Sequence, residues 1–426
     1  MKLLYITAFE PSSDSTSIRS KNYAEGITKR EPTIEITVIA VSESKENHSV
    51  KYAENLFVNY GLTQHSSFSS ITNKILVSIE NVKPDVVHLF YNYVTFGSVL
   101  KSLRVLRFIS NVCNEKGIKH YLTLHSIIVD PVKRLLSEYG ILDSLGTQFQ
   151  KIFSLLSRFH LRDIKNNWDE IILPSISAFE YFKSILNKEE SVKIHYIPLG
   201  FEFSEIRHLI SKEIPNDKKR VTRILFLGAI APYKGVHDLI EAVAILNKEI
   251  GGVNLSIIGR ATLRGKEDLR YFNKLLKIVK KLKIDNVCSI RNEWLAQESI
   301  ISYLQSCDLI VFPTIDDGTL SLLSSPYIAL LTKKRILMTN VPRMYDYRNI
   351  KDIIFCRPGP KNLFTTINTQ IIHSKTHEVD YSDGCKAHEM THIIEQYLEL
   401  YSGFYSKSVR ETKLTEPLLL EEKNNV

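Results

Sequence analysis

Apolar positions fall along this chain in two recurring patterns, short solid runs and longer spaced stripes. The opening KLLYITAF and the run IEITVIAV from Ile34 to Val41 are near-continuous and β-branched, as strands buried on both faces of a parallel sheet tend to be. Between them SSDSTSIRSKNYAEGIT offers serines that can cap a helix carrying Ile18, Tyr23 and Ile27. KPDVVHLFYNYV, Lys83 to Val94, and GIKHYLTLHSIIVDP, Gly117 to Pro131, read as two further strands around a helix with Leu100, Leu103, Leu106 and Ile109. Further on, Ile224 to Leu227 is a short apolar run stopped by glycine, and Val236, Leu239, Ile240, Val243 and Leu246 then recur at helical spacing. The segment reads strand, loop, helix.

Strand runs continue through GVNLSIIGR, VCSIRNEW and IIFCRPG, and AHEMTHIIEQYLELYSGFY places Met390, Ile393, Ile394, Tyr397, Leu398 and Tyr401 on one helical face. The polar run from Ser211 reads as an inter-domain linker. The expected organisation is an α/β chain with a first domain over 1–210, a linker over 211–222 and a second domain over 223–385. A closing helix follows over 386–405, returning to the first domain, and then a mobile tail over 406–426.

A length of 426 residues favours more than one core, and 44% apolar residues suffice to fill it. No run approaches the roughly 20 apolar residues of a membrane span, and MKLLYITAFEPSSD lacks a basic region followed by a long apolar core and cleavage site. A cytosolic protein is expected. Cys113, Cys288, Cys307, Cys356 and Cys385 show no Cys-x-x-Cys spacing, which argues against a zinc site and a disulfide framework. The net charge of +8 suits an anionic ligand, an anionic membrane face or nucleic acid. The basic amphipathic stretch around Lys151, Arg158, Arg162 and Lys165 reads either as an outer helix packed on its sheet or as one lying on an anionic bilayer. Nucleic acid is not expected, because the basic residues are spread over many helices without an aromatic platform.

The chemistry concentrates in FLGAIAPYKG, Phe226 to Gly235. A strand-to-helix turn aims amides and the positive end of a helix dipole at its mouth, and Lys234 adds a cation there. Phosphate suits such a place, although ordinary turns of open α/β sheets look the same.

These ten residues resemble the F-x-G-R-x-x-x-x-K-G element of retaining glycosyltransferases of the GT-B fold, family 4 type. Gly228, Lys234 and Gly235 match it, whereas Ala229 stands where the family has arginine. KPDVVH, the T-x-H of Thr123 to His125, WDEIILPS, KIHYIPLG and SIISYLQSCDLIVFPT resemble further family segments in the family's order. IDDGTLSLLSSPYIAL occupies the place of the family's Glu-x7-Glu element. Asp317 and Gly318 stand for its first acid and glycine, while Ser325, or Ile328 when counted back from RILMTN, stands where the second acid belongs.

The resemblance implies two Rossmann-like, doubly wound domains facing a central cleft, and a reaction without metal or other cofactor. Lys234 would hold the donor diphosphate, Asp317 would orient the sugar and His125 would approach from the first domain. Taken alone, a histidine after an apolar strand is more often a satisfied structural residue. Donor contacts are expected from Gly228, Arg260, Arg264, Arg291, Asn292, Ser325 and the amides of Gly318, Thr319 and Leu320. Arg260 and Arg264 are the nearest candidates to restore the charge missing at Ala229, since a fork of guanidinium donors fits diphosphate oxygens; they read equally as part of a solvated loop. Arg19 reads either as an anion ligand or as a solvated helix-start residue.

The expected activity is transfer of a sugar, with retention, from a nucleotide sugar to a saccharide or lipid-linked acceptor in cell-surface polysaccharide or glycoconjugate synthesis. The setting would be cytoplasmic or peripheral on the inner membrane face. The alternative is a catalytically silent GT-B protein that binds a sugar nucleotide or serves as an assembly subunit. A sugar-nucleotide epimerase is disfavoured for want of an obvious acid pair at first-domain strand ends, and a dehydrogenase because no G-x-G-x-x-G follows the first strand.

Overall fold

A computed structural model of the chain describes residues 1–10, 15–42, 46–92, 95–130, 133, 161–162, 164–185, 194–203, 207, 210, 221–261, 266–372 and 379–403. The basic stretch around Lys151 and Arg158, most of the 211–222 linker and the 406–426 tail lie outside these residues.

The first half holds β1 (Lys2–Ala8), β2 (Glu35–Val41), β3 (Ser49–Ala53), β4 (Leu56–Leu62), β5 (Val86–Tyr91), β6 (Lys119–Leu124), β7 (Ser126–Ile128), β8 (Glu170–Leu173) and β9 (Ile194–Tyr196). All but β7 form one sheet in the order β3-β4-β2-β1-β5-β6-β8-β9. Its central strands are apolar throughout because helices cover both faces. One core packs Ile75 and Ile109 beside Trp168, and the other packs Tyr23 and Ile27. Ile18 is exposed, so the Ser15–Arg30 helix buries a narrower stripe than its sequence pattern suggests. The Phe68–Val82 helix starts at Ser67, whose hydroxyl accepts from the Ser70 amide at 3.1 Å.

The second half contains β10 (Thr222–Leu227), β11 (Val253–Gly259), β12 (Cys288–Asn292), β13 (Leu309–Phe312), β14 (Thr319–Ser321), β15 (Arg335–Thr339) and β16 (Ile354–Cys356). The sheet runs β12-β11-β10-β13-β15-β16, and its pairings are parallel. The order reverses between β10 and β13, so the strand-end crevice of a doubly wound sheet falls between them.

Among the described residues, contacts of several kinds join the halves. Gly117 to Pro131 is not one strand: the chain breaks at His125, and β7 leaves the first sheet to pair antiparallel with β14 of the second half. The helix Met390–Ser402 packs Met390, Ile393, Tyr397 and Tyr401 into the first half's core. Beside it Phe201 donates its amide to the His388 carbonyl at 2.9 Å and accepts from the Met390 amide on its own carbonyl at 3.1 Å. At the root of that helix His88 sits fully buried, its ring nitrogens hydrogen-bonded to Tyr401 Oη and Thr123 Oγ1 at 2.5 and 2.8 Å.

Candidate active site

The loop after β10 is shaped by close backbone approaches. Gly228 has φ of 147° and donates its amide to the Ile258 carbonyl at 3.1 Å. A Cβ on the neighbouring Gly259 would lie 1.7 Å from the Gly228 oxygen. After the turn Pro232–Lys234, Gly235 has φ of 65°, and a Cβ there would meet the Pro313 carbonyl oxygen at 1.9 Å. The β10 loop is thereby pressed onto the end of β13. The helix Val236–Glu249 follows, but its start is not left open for an anion. The hydroxyl of Tyr271 accepts the His237 amide at 3.2 Å and meets His237 Nδ1 at 2.8 Å. The expectation that these amides aim outward is corrected to that extent.

Lys234 is buried, with Nζ 5.5 Å from the centre of the Tyr233 ring. Arg343, on the turn Pro342–Tyr347 after β15, places its guanidinium carbon 4.6 Å from the same ring. Two cations from different loops therefore share one aromatic ring. Arg343 also grips Asp317, with Nε to Oδ1 at 2.9 Å and Nη2 to Oδ2 at 2.7 Å, and its Nη1 donates to Ser321 Oγ. Asp317 is fully buried, and its Oδ1 accepts the Thr319 amide at 3.3 Å as well. Its carboxylate thus braces its own loop, in place of the outward, sugar-facing acid expected from the sequence.

The amides expected to meet a diphosphate are also engaged. Gly318 N–H goes to Asp316 Oδ1 at 3.0 Å, Thr319 N–H goes to Asp317, and Leu320 lies in β14 with its side chain in the first half's core. Gly318, at φ of 68°, accepts on its carbonyl from the Val129 and Asp130 amides at 2.9 and 3.0 Å. A Cβ at Gly318 would lie 2.3 Å from the Asp130 oxygen. Lys133 closes the same contact by an ion pair with Asp316 at 2.7 Å.

The other expected residues scatter around this centre. Ser325 opens the helix Ser325–Leu330 beside Gly228, where a Cβ on the glycine would meet its Oγ at 3.3 Å. That hydroxyl is buried with no hydrogen-bond partner among the described residues. His125 is half-buried after β6, its amide on the Tyr91 carbonyl at 3.1 Å and its ring stacked 6.3 Å from Phe90. Arg19 is half-buried, and its charge acts on Tyr23, Tyr397 and Tyr347, which places it between the halves. Arg260 and Arg291 are exposed, the latter 3.6 Å from Glu293. Asn292 is an internal brace, its Oδ1 accepting the Ala261 amide at 2.8 Å. Arg264 lies outside the described residues.

Sequence reasoning missed Tyr233, Arg343 and Asp346. Asp346 reaches across the halves, where its carboxylate accepts from the Ile176 amide at 2.8 Å and from Ser175 and Tyr196 hydroxyls at 3.3 Å. Burial pushes its carboxyl up to about 6, against the lowering effect of these donors.

Residues 209–319 match the sequence model of a family described as glycosyl transferases group 1. An uncharacterised glycosyltransferase of Methanocaldococcus jannaschii is 24% identical over 305 residues, which is 70% of this chain and 68% of that one. Sucrose-phosphate synthase from Thermosynechococcus elongatus superposes with a TM-score of 0.70 at 12% identity, covering 95% of this chain and 99% of the other. The Anabaena protein HepE, solved in complex with UDP-glucose, gives 0.63 at 14% identity over 95% and 100% of the two chains. The fold is GT-B. Together the matches support a glycosyltransferase of the group 1 type.

Proposed function

We propose that the protein transfers a sugar, with retention at the anomeric carbon, from a nucleotide diphosphate donor to a saccharide or lipid-linked acceptor at the cytoplasmic face of a membrane. The observation that carries this reading is that Lys234 and Arg343 both lie against the ring of Tyr233, which sits on the loop that follows β10 at the β10–β13 crevice. A departing diphosphate needs fixed positive charge in a water-poor site, where preorganised cations act most strongly. In this reading Lys234 meets the diphosphate, Ser325 supplies its spare hydroxyl to the ribose and His125 faces the sugar from the first half. Arg343, neutralised in part by Asp317, holds Tyr233 and the 316–321 loop in place. The leaving phosphate takes the acceptor's proton, so the reading requires no separate base and no metal. The bound UDP-glucose of the HepE structure lends support to this donor class.

A second reading is a silent sugar-nucleotide binder, favoured by the burial of Asp317 and by Ser325 standing where a second acid was expected. The test is a screen of purified protein against nucleotide sugars. Turnover releases nucleoside diphosphate, and Lys234→Ala removes that release. Calorimetric binding without release under every acceptor selects the silent reading. Neither binding nor release ends both.

A further inference from the structure

The helix Lys266–Leu282 is amphipathic in an unusual sense. Its inner side supplies Tyr271, Leu275 and Val279 to the second half's core. Its outer side carries Arg270, Lys274, Lys277, Lys280 and Lys281, continued by Lys283, all exposed. From Leu269 to Ile284 the chain holds no carboxylate. Among the described residues these cations make no ion pair. Lys274 shares its surroundings with Asp238 and Glu241 of the adjacent helix, since all three act on His237. Along the edge of this cationic face lie Leu269 and Leu276, exposed by 39% and 37%. Leu269 and Leu276 lie seven residues apart on one stripe, with Lys280 extending it.

Single exposed leucines are ordinary on a solvated helix; what sets this face apart is their company, six cations with no carboxylate between Leu269 and Ile284. A face with cations of one sign and shallow apolar side chains gains twice on an anionic bilayer, once from lipid charge and once from the headgroup boundary. A nucleic acid backbone would use the cations and leave the leucines without a partner. We infer that the outer face of the Lys266–Leu282 helix is a docking surface for an anionic lipid bilayer. Because the inner stripe is committed to the core, the helix docks as a rigid face of the folded protein and does not insert deeply. The inference deepens the membrane contact of the proposed function and is independent of the donor chemistry.

The test is co-sedimentation of the full chain with vesicles of phosphatidylcholine alone and of phosphatidylcholine mixed with phosphatidylglycerol, without donor or acceptor. The wild type is expected to pellet with the mixed vesicles and to be released by high salt. Lys277→Glu/Lys280→Glu/Lys281→Glu is expected to bind them roughly a hundredfold more weakly or worse, since each lysine near an anionic surface contributes about fivefold. The milder Lys277→Gln/Lys280→Gln/Lys281→Gln, checked for an unchanged melting temperature, serves if the charge reversal impairs folding. Wild-type retention in solution, equal binding by the glutamine variant, or tighter binding to duplex DNA through the same lysines overturns the inference. Nucleoside diphosphate release is scored separately, so loss of vesicle binding with intact release, or the reverse, shows which reading has failed.

Discussion

Arg343 and Asp317, 26 residues apart in sequence, meet through two parallel hydrogen bonds of 2.9 and 2.7 Å in a place where neither side chain is more than 7% exposed. A pair so removed from water is costly to halve. Breaking one partner leaves an uncompensated buried charge, and the cost of that is about 3–5 kcal/mol. Arg343→Met and Asp317→Asn should each lower the denaturant midpoint on that scale. The double variant Arg343→Met/Asp317→Asn should lose less than the sum of the two, as a double-mutant cycle by urea unfolding will read.

Gly235 and Gly251 offer a matched pair of substitutions, with φ of 65° and 71°. Around Gly251 an added Cβ meets nothing within 4 Å, whereas at Gly235 it runs into the Pro313 carbonyl. Gly251→Ala should therefore cost only the left-handed strain of about 1–2 kcal/mol. Gly235→Ala should cost clearly more and, if Lys234 is a donor ligand, should also weaken the thermal shift given by nucleoside diphosphates. Equal losses in the two variants would refute the packing argument.

Asp346 makes the joint between the halves sensitive to pH. Its folded value of about 6 lies above the ordinary 3.8, so the folded state prefers the protonated acid. The resulting stabilisation, about 3 kcal/mol by linkage, is complete below the unfolded value and lost as pH rises through about 6. The stability difference between wild type and Asp346→Asn should shift in the wild type's favour on going from pH 7.5 to pH 5. A difference that stays flat across that range would contradict it.

His88 works in the opposite sense. Burial, aided by the nearby charge of His125, depresses it from 6.5 to about 3. Neutral imidazole belongs to the fold, so its contribution is whole above pH 6.5 and declines as pH falls toward 3. Between pH 7 and pH 4 about 3 kcal/mol should vanish from the wild type and persist in the non-titrating His88→Gln. Urea unfolding at the two pH values measures this, and hydrogen exchange in Met390–Ser402 should rise first, because Tyr401 is the partner that His88 holds.

The strands of both sheets were legible because two-sided burial leaves solid apolar runs such as IEITVIAV and ILFL. The β3–β4 pair was not read: Ser49–Ala53 is largely exposed with little apolar content, and Leu56–Leu62 alternates buried and half-buried positions in place of a solid apolar run. At the site, Gly228 and Gly235 could be read from their neighbours, and the structure gives their reason in the contacts a Cβ would make. Arg343 could not. It sits in NVPRMYDY, a stretch without helical or strand period, and its meaning depends on an acid from another loop. Asp317 misled for the same reason, as its type and place suggested a ligand while its partner was invisible. Ser126 to Ile128 looked like the continuation of β6 because nothing in SII announces that it pairs with the other half.

That pairing has a mechanical corollary. With β7 and β14 zipped together, the halves share main-chain bonds and do not merely touch. Moving the two halves apart at this place would mean breaking that ladder, a cost set by main-chain bonds and not by the groups around Lys234.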